Sequence, residues 1–141
     1  MKKTYHGSCH CGAVRYEADL DLADETLRCN CSYCRKVRMW KVFAMKGEFR
    51  QTAGADALSD YRAPQSGWPE GHIHHYFCRS CGVHAFSQGY LEMAPFAGWF
   101  HAVNIATLDD ASDAELAAAP VRYEDGRADR HDVTPAETRY L

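Results

Sequence analysis

The sequence has no excess of positive charge: 16 Lys and Arg stand against 19 Asp and Glu, a formal net charge of -3. A protein that holds a polyanion by neutralising its phosphates needs such an excess, so no nucleic acid is expected as a partner. Long apolar runs are missing as well. None approaches the roughly 18 residues that a membrane-spanning helix requires. Met1-Lys2-Lys3-Thr4-Tyr5-His6-Gly7 leads straight into cysteines without the apolar stretch of a secretion signal. These absences predict no membrane partner and a cytoplasmic location. Proline is scarce, at five residues, and no Pro, Gly or Ser tract divides the chain. No repeat is visible either. The expectation is one domain over residues 1–141, long enough to bury roughly two thirds of its unfolded surface and hold a core without covalent staples.

What the sequence does have is seven cysteines. Thiols stay reduced in a cytosol and an odd number cannot pair completely, so metal or thiol chemistry is expected before a disulfide framework. They fall into three clusters: Cys9-His10-Cys11, Cys29-Asn30-Cys31-Ser32-Tyr33-Cys34 and Cys78-Arg79-Ser80-Cys81-Gly82. A structural zinc site is closed by four protein ligands, while a catalytic one keeps three and leaves a position open. Seven thiols divide that way, with Cys9, Cys11, Cys78 and Cys81 as the closed set and Cys29, Cys31 and Cys34 as the open claw. Two alternatives stand beside this division. One of the eight histidines could close the claw as a Cys₃His site, and Cys9, Cys11, Cys78 and Cys81 could be buried small hydrophobes.

Cations beside the claw are Arg35, Lys36, Arg38 and Lys41, either anchors for an anionic substrate or a solvated strand edge, with Lys36 and Arg38 on one strand face. His72 and His74 share a face with Tyr76, where a surface role outweighs metal binding. His84 and His101 are acid-base candidates. The many aromatics, among them Tyr33, Trp40, Phe86 and Trp99, are expected in the core.

Alternation at Ala13–Leu20 predicts a half-buried strand. Further strands are predicted at Val37–Lys46, Glu48–Thr52, Ile73–Phe77, Val83–Ser87 and Trp99–Ile105. A short helix is predicted within Asp109–Ala119, ahead of Pro120, and a long loop at Ser59–Gly71. The polar tail from Asp125 to Leu141 is expected to be irregular.

Gly7-Ser8-Cys9-His10-Cys11-Gly12-Ala13-Val14, Cys29-Asn30-Cys31-Ser32-Tyr33-Cys34-Arg35-Lys36 and Phe77-Cys78-Arg79-Ser80-Cys81-Gly82 together resemble the signature of the glutathione-dependent formaldehyde-activating enzyme family. The resemblance runs from about residue 5 to Leu108-Asp109-Asp110, more weakly to Pro120. It implies an all-β fold, a β-tent of zinc-linked antiparallel sheets with at most one or two short helices. It implies two zinc ions per chain, a structural one at Cys9, Cys11, Cys78 and Cys81 and a working one at Cys29, Cys31 and Cys34. The activity implied is a carbon-sulfur lyase or synthase acting on a small aldehyde and a thiol, as in S-hydroxymethylglutathione. A different class, a non-catalytic zinc module that binds a protein partner, is the alternative. At Val37-Arg38-Met39-Trp40 the sequence departs from the small residues common in the family, and bulk there would narrow the mouth of the claw.

Overall fold

The computed structural model describes residues 1–141. Strong alternation makes β2 (Arg15–Leu20), which buries Tyr16, Ala18 and Leu20 and turns Arg15 outward. It is the centre of a three-stranded antiparallel sheet between β1 (Lys3–Ser8) and β5 (Phe49–Ala53). The second sheet has seven strands: β3 (Thr26–Cys29), β4 (Trp40–Ala44), β6 (Leu58–Tyr61), β7 (Ile73–Cys78), β8 (His84–Leu91), β9 (Gly98–Asn104) and β10 (Val121–Glu124). Its order is β10-β3-β4-β9-β8-β7-β6, and all its pairs are antiparallel except β10 with β3. The fold is thus the all-β architecture expected, two open sheets and no barrel, with one parallel pair in place of a wholly antiparallel plan.

One face of the large sheet meets the small sheet. Val42, Ala44, Phe86 and Val103 pack there against Tyr16, Ala18 and Leu20. Tyr16 stacks on Phe49 at 5.3 Å and meets Phe86 edge-on at 5.7 Å, while its hydroxyl lies 2.7 Å from Thr107 Oγ1. Burying a side chain such as Phe86 contributes roughly 1.5–3 kcal/mol, and the hydroxyl pair removes the cost of an unpaired buried phenol.

Two sequence expectations fail. Val37–Lys46 is not one strand: Ser32–Val37 forms a helix, α1, and β4 begins only at Trp40. The Cys31 sulfur caps the helix by accepting from the Cys34 N–H, and Arg38 closes it in the left-handed region at φ 51°. Lys36 and Arg38 therefore share no strand face. The loop expected at Ser59–Gly71 starts late, because Leu58–Tyr61 pairs with β7 as an edge strand. A second helix, α2 (Asp113–Ala118), forms inside the predicted stretch, started by a capping box of Ser112 and Glu115. Beyond β10 the tail is irregular apart from a single 3-10 turn at Gly126–Ala128.

Candidate metal centres

The first two cysteines leave β1 in a tight turn, and the second pair makes a knuckle at the end of β7. Gly82, at φ 76°, supplies the left-handed residue of that knuckle, and its N–H donates to Cys78 O at 2.8 Å. The four sulfurs of Cys9, Cys11, Cys78 and Cys81 all lie within 4.8 Å of one another. Cys9 to Cys11 and Cys11 to Cys78 measure 3.6 Å between sulfurs. Four thiolates on a tetrahedral zinc at bonds of about 2.3 Å have sulfurs about 3.8 Å apart, so the donor set fits that ion. The Val14 N–H, 3.3 Å from Cys9 Sγ, offers the hydrogen bond that a thiolate accepts. These four are a convergent cluster, which disposes of the reading as scattered apolar filler.

Cys29 ends β3, Cys31 caps α1 and Cys34 lies in its first turn, so the change of direction from strand to helix brings three sulfurs together, again within 4.8 Å. Backbone N–H groups of Cys31 and Cys34 donate to the sulfurs of Cys29 at 3.3 Å and Cys31 at 3.4 Å. The three share protons unequally: hydrogen bonds from Cys29 and Cys34 hold the Cys31 thiol far below the usual range, and hydrogen bonds with Cys29 and Cys31, aided by burial, push Cys34 up. No histidine joins either group, so the Cys₃His alternative has no support. All seven cysteines are free.

Lys41 is the cation that reaches the claw, with Nζ 3.8 Å from Cys34 Sγ. Burial pulls its pKa down, but attraction to Cys34 and Cys29 outweighs that and the net direction is up, so it stays an ammonium. Of the other candidates, Arg35 stacks over the Tyr140 ring at 5.4 Å, and Lys36 and Arg38 point into solvent. Trp40 corrects the idea of a narrowed mouth. One residue from Lys41 on a strand, it faces the core, where its Nε1 donates to Thr26 Oγ1 at 2.8 Å. Met39 is buried too, leaving only Val37 and Arg38 of that stretch exposed.

Two features lay outside the sequence reading. A polar chain runs from α1 into the sheet: Tyr33 OH lies 2.9 Å from His84 Nδ1, His84 Nε2 lies 3.2 Å from Ser87 Oγ, and Ser87 Oγ lies 2.8 Å from His75 Nδ1. Tyr33 also stacks on His75 at 3.7 Å. Burial holds both imidazoles at about 4 and pushes the phenol up, so the chain is neutral at pH 7. The second feature is a wall of tail residues. Asn30, between two claw cysteines, donates to Asp125 Oδ1 at 2.7 Å and accepts from the Arg127 N–H at 2.9 Å. That seats Gly126 so close that a Cβ there would lie 2.4 Å from Cys29 Sγ. His74 is held at the surface by Asp60, 2.6 Å away, and His101 lies on the opposite face of the sheet from Ser87 and His75.

A two-sheet β protein with two convergent thiol clusters, one of four and one of three, is the class these observations define. The chain matches the model of the glutathione-dependent formaldehyde-activating enzyme family over residues 4–123 and belongs to that family. It is also similar to the crystal structure of a Rhodobacter sphaeroides protein, with a TM-score of 0.63 and 29% identity over 83% of this chain and 99% of that one. The tail that walls the claw lies beyond the residues matched to the family.

Proposed function

We propose that the protein is a zinc-dependent carbon-sulfur lyase or synthase of a single domain that joins a small aldehyde to a thiol, or reverses that addition. The observation that carries this reading is the claw: three thiols converge, no fourth protein ligand joins them, and an ammonium stands beside them. Cys9, Cys11, Cys78 and Cys81 would hold a structural zinc, and Cys29, Cys31 and Cys34 a second one. When bound, the second ion would supply Lewis acidity toward a thiol or a carbonyl oxygen. In the addition the thiol sulfur forms a bond to the carbonyl carbon, the C=O π bond breaks, and the thiol proton ends on oxygen, so no oxidant is needed. Lys41 Nζ, 3.8 Å from Cys34 Sγ, would stabilise the oxygen as it becomes negative, and the neutral chain behind Tyr33 would brace α1. Seven free thiols favour a reducing compartment such as the cytoplasm.

The test is elemental analysis of the wild type and a Cys29→Ser/Cys31→Ser/Cys34→Ser variant, followed by exchange NMR of formaldehyde with glutathione and with smaller thiols. Two zincs falling to one, and exchange faster than buffer in the wild type alone, are expected. Metal-loaded protein that gives no rate above buffer with any of these thiols would leave the claw as a non-catalytic zinc module.

A further inference from the structure

The face of the large sheet turned away from Ser87 and His75 is only partly covered by the small sheet. Strand alternation puts Tyr76 and His74 on β7, Gln88 and Tyr90 on β8, and His101 and Trp99 on β9 on what remains open, beside the buried Phe86. Between this surface and the small sheet lies an open cavity of about 440 Å³, with Phe49 and Gln51 as its far wall. This volume is in the range of small-molecule sites. Aromatic rings make half of its lining. His101 stacks on Phe49 at 4.0 Å and 13°, and Tyr76 and Phe86 stand beside them. Further out, Trp99, 40% exposed, leans on Tyr90 at 5.2 Å and extends the aromatic floor.

Polar groups in the cavity have work left to do. Gln51 donates one amide N–H to Ala53 O at 3.1 Å, which leaves its other N–H and its carbonyl without a partner in the fold. The His101 ring nitrogens and the Gln88 amide take no part in the fold's own hydrogen bonds, and since no buried side-chain polar atom is left unpaired, these groups open onto the cavity. None of the eight lining residues is Lys, Arg, Asp or Glu. Burial holds the His101 imidazole at about 4, so it is neutral near pH 7 and offers one donor and one acceptor.

We propose that this inter-sheet cavity is a second ligand site, separate from the claw, that takes an uncharged bicyclic heteroaromatic ring laid against its aromatic lining and hydrogen-bonded by His101, Gln88 and Gln51. A fused bicycle covers more of the aromatic lining than a single six-membered ring would, and a phosphate or carboxylate would find no cation there. The claw plays no part in this site, so the outcome is independent of the zinc reading.

Adenine is the probe, titrated into isotope-labelled, metal-replete protein while the His101 ring and Gln88 amide signals are followed by NMR. Saturable shifts of both are expected, with at least a tenfold weaker Kd for His101→Leu and for Gln88→Leu, and an unchanged Kd for Lys41→Met. Gln88→Leu is a half-exposed change that leaves the packed core untouched. Three results would overturn the proposal: no saturable shift, adenosine monophosphate binding more than tenfold tighter than adenine, or Lys41→Met weakening adenine as much as His101→Leu does.

Discussion

Gly126 is a residue whose side chain is missing for a reason. A methyl group there would stand 2.4 Å from Cys29 Sγ and 3.1 Å from Cys31 Cβ, both inside the claw. Gly126→Ala must push either the tail or the sulfur away, and Asn30 ties that tail down by two hydrogen bonds. The expected outcome is release of one metal per chain to a chromogenic chelator at least tenfold faster than in the wild type, with the four-cysteine site unaffected. Equal release rates would mean that the tail yields freely. The cysteine clusters were legible in the sequence because thiols that converge at a turn or knuckle are close along the chain, and the fold brings them together as four and three. Gly126 was not, because its constraint comes from residues almost a hundred positions away, and nothing local in Asp125-Gly126-Arg127 signals it.

At the scale of elements, the β-rich segments were readable from period-two alternation, as at Arg15–Leu20, and α2 from its acidic start and the stop at Pro120. The segment after the claw misled because Val37, Met39, Trp40 and Val42 are β-formers. What overrides them is local geometry: the Cys31 sulfur caps a helical turn and Arg38 accepts a left-handed conformation, which only then releases the chain into β4. The helix matters for what it carries inward, since Tyr33 is the link between α1 and the sheet. Tyr33→Phe keeps the stack on His75 and removes the hydroxyl from His84 Nδ1. Loss of about 0.5–1.5 kcal/mol in urea unfolding is expected, the usual net value of one hydrogen bond, with a shifted His84 ring signal by NMR. An unchanged His84 signal would show that the hydroxyl does not engage it.

Over the whole molecule, partial or full burial keeps three imidazoles uncharged. His75, His84 and His101 all titrate at about 4, first because burial penalises the charged ring, against about 6.5 in an unfolded chain. Between those two values the unfolded state binds more protons, so stability rises with pH through that window and is flat above it. Their contribution is complete above about pH 6.5, declines as the pH falls, and is gone below about 4. Metal release in acid would act in the same direction, so the measurement is the difference between wild type and His101→Phe: the variant should lose less stability between pH 7 and pH 5. Identical slopes would exclude His101 as a source.

The two sheets meet through a core of modest size, and the four-cysteine cluster lies at the seam: Cys9 and Cys11 follow β1 of the small sheet, while Cys78 and Cys81 belong to the end of β7 in the large one. A metal there closes a loop of nearly seventy residues and joins two sheets that share no backbone ladder. Its binding energy would be folding energy, since unfolded thiols form no such site. The claw is different, because Cys29, Cys31 and Cys34 lie within six consecutive residues on one sheet and its adjoining helix. Losing metal from the two clusters should therefore have unlike consequences. Cys11→Ser, at an exposed ligand, is expected to lower Tm by several degrees and to speed amide exchange in β1 and β2. Cys31→Ser should leave exchange in those strands unchanged and loosen only α1 and the tail at Gly126. If the two variants loosened the same strands, the division of labour between staple and working site would fail.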